Sequence, residues 1–342
     1  MIGAAALLIP WVIGGIISLR GMRSNGDKPD FMSLVFWIGI PVAVGMFAPR
    51  HPRIAEAGLP IFSYGFMLFV GFMLATLSAI NRAKLIGQSR DLIWDLGAWL
   101  LIPGIIGARS FYIIQYHERM FANCRSAGDY FRVAINLPDG GLVFYGGLLM
   151  GIAGYLTFCR LRKINPMLLA DVIAPSVFIG LGFGRIGCFM YGCCFGDRCE
   201  LPWAVTFPVD SIPFRALVDR GFMPATATGS LPLHPSQLYS SLNAFVIALL
   251  LAVYFRHRAW NGAVLAMGWI IYPITRFALE LLRGDELGQF NTRFTISQWV
   301  SFGICGAGLL FLVVMSRHAA AQRGRSGTGK PGIAQPHVAG EA

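Results

Sequence analysis

Long apolar runs alternate with short polar breaks along this chain. Runs at 2–18, 31–48, 61–80, 92–116, 141–158, 168–189, 240–255, 262–282 and 296–315 have membrane-crossing length or come close to it. Helices are the only open-ended elements that satisfy their own backbone in lipid, so the pattern predicts an all-α, polytopic membrane bundle. The longest polar interval, 190 to about 237, bears prolines and predicts a small head outside the bilayer. Residues from Arg317 are rich in Gly, Arg and Ala and predict a disordered tail.

Composition agrees with this reading. The 342 residues are 55% hydrophobic and 13% charged, against about 25% charged in soluble domains. Mean hydropathy is +0.60. The formal net charge is +11, which in a soluble protein would raise nucleic acid as a partner. Here the basic residues cluster in short breaks, so they speak for orientation and anionic lipid, and no nucleic-acid partner is expected. The breaks after 80, 158 and 255 hold the clusters Arg82-Ala83-Lys84, Arg160-Leu161-Arg162-Lys163 and Arg256-His257-Arg258. Intervals 117–140, 190–237 and 283–295 carry no such excess. The positive-inside rule then places the basic breaks and the tail in the cytoplasm and the head outside. The break holding Arg50 and Arg53 runs against that assignment. The first apolar run has no basic leader or small-residue cleavage site, so no signal peptide is expected.

Two polar constellations stand out against this apolar background. Arg185 lies at or inside the end of the 168–189 run, among Gly180, Gly182, Gly184, Gly187, Gly192 and Gly196. An arginine at bilayer depth costs about 2.5–3.5 kcal/mol by insertion scales unless it pairs or reaches water. Glycines clear space for a headgroup, and a guanidinium grips phosphate through two parallel hydrogen bonds, so an anion site is expected. Tyr272, Arg276, Glu280 and Arg283 step by four, four and three, which puts them on one face of a helix. Such a stripe must face protein, water or ligand, and Glu280 is either an ion-pair partner or the group that orients a phosphate-binding arginine. The four cysteines at 188, 193, 194 and 199 are irregularly spaced. They are expected to be structural, through a disulfide of Cys199 with Cys193 or Cys194 or through small apolar packing of Cys188, and no metal is expected.

Gly184-Arg185-Ile186-Gly187 followed by a run to Gly192 resembles the signature of the bacterial prolipoprotein diacylglyceryl transferases. Further matches follow that family's order from about 61 to 315: Tyr64-Gly65, Gly107-Ala108-Arg109 with Tyr112, Asp139 to Gly147, Asp171 to Pro175, Leu201 to Pro208, His234 to Tyr239, and Tyr272 to Arg283. The resemblance implies an inner-membrane transferase, without cofactor, that moves diacylglyceryl from phosphatidylglycerol to the lipobox cysteine of prolipoprotein peptides. Under it the chain divides into two extra N-terminal helices (1–58), a seven-helix core (59–316) containing the 190–237 head, and the tail (317–342). The implied catalytic set is Arg185, Arg276, Tyr272, Tyr145 and His234. The implied substrate-binding set is Arg185, Tyr64, Arg109, Gly184, Gly187, Gly192, Gly196, Glu280 and Arg283.

Departures from the family pattern bear on the chemistry. Tyr145 stands where the family has a histidine, so a neutral phenol replaces a group that titrates near neutrality. Cys188 and Cys193 stand where asparagine and glutamate are usual, and Ser240 replaces a glutamate. Tyr64 is either an aromatic-belt residue or a headgroup ligand. His234 is either a base or headgroup donor, or a structural cap. Asp171 reads as structural. Two alternatives remain open: a diverged member acting on another acceptor, and a non-enzymatic protein binding or transporting an anionic lipid or solute.

Overall fold

The computed structural model describes residues 63–326 except 123, 137–139, 284–291 and 293, together with Ile16 and Ile38. Apart from those two isoleucines, the expected N-terminal helices lie outside the described residues. So does the chain beyond 326. The described helices are α1 (Ser63–Leu85), α2 (Arg90–Phe121), α3 (Ala127–Ile135), α4 (Phe144–Leu161), α5 (Pro166–Tyr191), α6 (Ile212–Asp219), α7 (Ser236–Phe255), α8 (Ala263–Glu280) and α9 (Ile296–Ser326). Seven of them, all but α3 and α6, are long and apolar enough to cross a membrane. Among the described residues there is no strand, only isolated antiparallel bridges of Leu233 to Arg198 and Val205. The all-α bundle expected from the apolar runs is the observed fold. Helix α9 continues to Ser326, past the Arg317 at which the apolar pattern stops.

The chain divides into two compact units, one holding α2–α4 and the other α1 with α5–α9. In the first, the hydroxyl of Ser89 accepts from the Leu92 amide at 3.2 Å and starts α2. Helices α2 and α4 close on one another through glycine. A Cβ at Gly107 would lie 2.4 Å from the Gly146 carbonyl, and one at Gly146 equally close to the Gly107 carbonyl. Small residues allow this approach, which replaces the hydrophobic drive that lipid cannot supply. An ion pair of Arg162 with Asp95, at 2.5 Å, ties the end of α4 to the start of α2. Helix α3 opens on a reciprocal capping box of Ser126 and Asp129.

In the second unit α1 crosses α5 at Gly71, where a Cβ would come 2.8 Å from that of Phe183. Pro175 removes a rung of the α5 ladder. Near it, the Val172 carbonyl accepts from Arg82 Nε at 2.8 Å, and the same guanidinium reaches Ser78 and Ser176. Arg82, expected in a cytoplasmic break, is buried in the last turn of α1. Asp171, fully buried, accepts from the amides of Gly262, Val264 and Leu265 at 2.7, 2.9 and 3.1 Å. It therefore caps the start of α8 from within α5, satisfying amides the helix leaves open. Residues between α5 and α7 fold over a small core of Phe195, Phe207, Phe214, Leu217, Met223 and Leu233. The long polar interval thus folds over a small core of its own.

Candidate active site

Arg185 lies in the penultimate turn of α5 and is half-buried. Glycine on its own helix makes room beside it. A Cβ at Gly187 would sit 2.9 Å from Tyr64 Cδ2, so the Tyr64 ring lies directly on that glycine. Gly184 is looser, with Leu68 Cδ2 at 3.6 Å from a Cβ placed there. The Tyr64 hydroxyl is within electrostatic reach of Arg185, Cys188, Cys193 and Cys194. Among the described residues the Arg185 guanidinium has neither a hydrogen bond nor an ion pair. A half-buried guanidinium with its donors uncommitted is a receptor for an anion, because desolvation without a partner is costly.

The second arginine group is built differently. On α8, Arg276 forms a close ion pair with Glu280, whose carboxylate is fully buried. Arg283 reaches the same Glu280 oxygen at 3.5 Å. Thr295 Oγ1 donates to the other oxygen at 3.0 Å, and Arg276 Nη2 donates to Ser297 Oγ at 3.3 Å. Two guanidiniums share one carboxylate, so the group keeps a net positive charge while each arginine is fixed in place. The helical stripe was legible as a stripe. Thr295 and Ser297 were missed, although their polar side chains at the start of the last apolar run were the available signal. Tyr272, from the same stripe, packs its ring at a tilt against Phe178, with centroids 5.6 Å apart.

The loop after α5 brings further sequence candidates together. Gly192, at φ +81, ends the helix: its amide and that of Cys193 both return to the Cys188 carbonyl, at 2.9 and 3.1 Å. Ser236 Oγ donates to the Cys194 carbonyl and Gln237 Nε2 to the Cys193 carbonyl, both at 2.8 Å. The start of α7 thus clamps the cysteine loop. Gly196 donates its amide to the His234 carbonyl at 3.0 Å, and the Asp197 amide donates to Leu282 at 3.1 Å. A Cβ at Gly196 would come 2.6 Å from His234 Cβ and 2.9 Å from the Leu282 carbonyl, so only glycine fits. His234 Nδ1 lies 3.3 Å from the Tyr239 hydroxyl, which accepts from Trp203 Nε1 at 2.7 Å. Tyr239 ends the His234 to Tyr239 match, which implies no role for it. It is the side chain that links His234 to the head.

All seven cysteines are free in the structure. The sulfurs of Cys188, Cys193 and Cys194 lie within 4.8 Å of one another, without Cys199. Cys199 is buried, with its sulfur 3.3 Å from the Leu201 amide. The Cys194 thiol is pulled down to about 5, first by the hydrogen bond from Cys188 and then, against burial, by the charges of Arg185 and Arg283. Burial pushes the Cys193 thiol up.

Arg109 and Tyr145 belong to the first unit. Arg109 is buried and gives four hydrogen bonds to backbone carbonyls: Nε to Ala134, Nη1 to Gly140 and Gly141, and Nη2 to Val133, at 2.7–3.0 Å. It ties the segment between α3 and α4 to α2. Tyr145 is exposed at the start of α4, its ring edge-on to Phe144.

The sequence model of the family described as prolipoprotein diacylglyceryl transferase matches residues 52–314. The chain belongs to that family. A protein of Clostridium perfringens named phosphatidylglycerol–prolipoprotein diacylglyceryl transferase 2 is 34% identical over 254 residues, covering 74% of this chain and 90% of its own length. A transferase of the same name, unnumbered, from Clostridium tetani is 32% identical over 244 residues, 71% of this chain and 89% of its own. The namesake from Acaryochloris marina is 29% identical over 81% of this chain and 96% of its own. The family match ends at 314, so α9 past that point lies outside it.

Proposed function

We propose that this protein transfers the diacylglyceryl group of phosphatidylglycerol to the lipobox cysteine thiol of prolipoproteins. The observation that carries the reading is the Arg185 guanidinium, half-buried at the end of an apolar helix with its donors uncommitted among the described residues. The names of the relatives supply the substrates.

The reaction is a displacement. The acceptor thiolate attacks the glyceryl carbon that bears the phosphate, the carbon–oxygen bond breaks, and glycerol phosphate leaves with the electron pair. Arg185 grips the phosphate, and its charge is worth most as charge develops on the departing oxygen. Arg276, held by Glu280 and Ser297, adds a fixed positive field, with Arg283 behind it. Tyr64 and Tyr272 orient the headgroup, Gly184 leaves room for it, and Gly187, Gly192 and Gly196 let Tyr64 and the loop after α5 close in around the site. His234, aligned by Tyr239, is the candidate proton acceptor or headgroup donor. Tyr145 acts as a hydrogen-bond donor. Arg109 acts through the loop whose carbonyls it holds, as a positioning residue. The head and the phosphate site face outside the cytoplasmic membrane, and the basic breaks face the cytoplasm.

The test is complementation of a strain depleted of its own diacylglyceryl transferase, with transfer from phosphatidylglycerol to a lipobox peptide measured on purified protein. Rescue and transfer by wild type, both lost in Arg185→Ala, are expected. A folded, membrane-inserted wild type that neither rescues growth nor labels the peptide overturns the reading.

A further inference from the structure

We propose that Cys188, Cys193 and Cys194 form a three-thiolate site for a soft divalent cation, Zn²⁺, whose fourth position takes the acceptor thiol. The second half rests on the function proposed above; the first does not.

Three sulfurs already lie within 4.8 Å of one another. Tetrahedral Zn–S bonds of about 2.3 Å put sulfurs about 3.8 Å apart, so each needs to move about half an ångström. The backbone is shaped to bring them there. Cys188 is in the last turn of α5, and the chain folds back so that the Cys193 amide meets the Cys188 carbonyl at 3.1 Å. Adjacent side chains on an extended chain diverge. Cys194 instead adopts φ +59, a left-handed conformation that is strained for a non-glycine residue. The bonds from Ser236 and Gln237 hold both loop carbonyls in that turn. Strain kept in place by surrounding bonds is typical of ligand-binding positions.

Charge favours the same occupant. Three thiolates around Zn²⁺ leave a net charge of −1, and Arg185 and Arg283 both act on Cys194 electrostatically. Thiolate ligands select soft ions over magnesium or calcium. Three protein ligands and an open fourth position is the pattern of a reactive zinc, not a structural one. A thiol entering that position loses its proton to solvent. Its sulfur lone pair then attacks the glyceryl carbon, and the phosphate oxygen leaves with the electrons of the broken bond. The thioether formed is neutral and a weak ligand, so the product departs.

The test uses full-length protein, reduced, stripped of metal and titrated with Co²⁺ as a visible stand-in. Expected are one Co²⁺ per chain, a sulfur-to-cobalt charge-transfer band, tetrahedral visible bands, and displacement by Zn²⁺. Cys188→Ser, Cys193→Ser and Cys194→Asn, the last chosen because asparagine tolerates positive φ, should each weaken binding at least about 100-fold. Cys199→Ser and Cys305→Ser should not. On wild type alone, Zn²⁺ should shield cysteines 188, 193 and 194 from alkylation, read by mass spectrometry. A lipobox peptide should shift the cobalt bands, and its Cys→Ser analogue should not. No charge-transfer band, or one that survives Cys193→Ser, overturns the site. Transfer without any cobalt band removes the site and leaves the proposed function standing; a cobalt band without transfer keeps the ion and removes the acceptor.

Discussion

Arg185 and Arg109 are both arginines inside apolar helices, yet they differ in what their donors do. Arg109 gives four bonds to backbone carbonyls, whereas Arg185 gives none to the described residues. In the sequence both fall within apolar runs and both enter the implied substrate-binding set, but only Arg185 has a dense surround of glycine. That one is saturated was not visible there, because the partners lie 24 to 32 residues away. Arg185→Lys should lower transfer by at least about 100-fold in folded protein, since an ammonium cannot make the paired contact. Peptide-labelling rates on purified variants measure it. Tyr145→Phe should cost less than tenfold, roughly the loss of one weak donor, because its exposed ring carries no buried hydrogen bond. The same assay compares the two. The cysteines teach a related lesson. Their spacing looked irregular because a helix end and a left-handed residue, neither visible as such in the sequence, set where the sulfurs point.

Helices here are defined as much by what closes their ends as by their apolar faces. The existence and order of the seven long described helices were legible from apolar runs, since lipid forces any such run to satisfy its own backbone, whereas α3 and α6, inside polar intervals, were not. The end groups were not. Asp171 could be read as structural, but that it caps α8, more than ninety residues on, required the fold. Asp171→Ala should destabilise the protein by about 3 kcal/mol, as loss of a buried, bonded charge does, and thermal unfolding in detergent would show it. Helix α3 shows an acid-sensitive end. The Asp129 carboxyl is held below its usual range, first by the bond from Ser126 and then by the Arg125 and Ser126 amides. Its depressed value means the cap contributes fully above the ordinary carboxylate range and is lost as pH falls through the lowered one. Amide protection across 125–135, taken relative to the intrinsic exchange rate at each pH, should therefore drop on acidification in wild type and be uniformly lower, without that step, in Asp129→Ala.

At the scale of the whole chain, the seven apolar helices and the head over its own small core were anticipated, while the division into two compact units was not. Basic breaks set the orientation argument, yet Arg82, counted among them, is spent inside the protein. Arg162 and Arg258, from the other two clusters, pair with Asp95 and Asp171, so orientation rests on the exposed Lys84, Arg160, Lys163 and Arg256. Single cysteines placed at the 160–163 break should be labelled only from the cytoplasmic side, and at 210 only from outside, with a membrane-impermeant maleimide as probe. The glycine at 196 carries the consequence furthest. Three stretches of chain, from the head, the start of α7 and the end of α8, meet where even one added carbon has no room. Substitutions there should behave as a threshold and not a slope. Alanine, serine and valine at 196 should be equally inactive, because the first carbon already breaks the junction and later ones add nothing. At 184, where the nearest neighbour is the flexible end of Leu68, the same series should decline by degrees with side-chain volume. The shape of a size-activity curve, flat at one glycine and graded at the other, thereby tells a knot in the backbone from a space kept for a ligand.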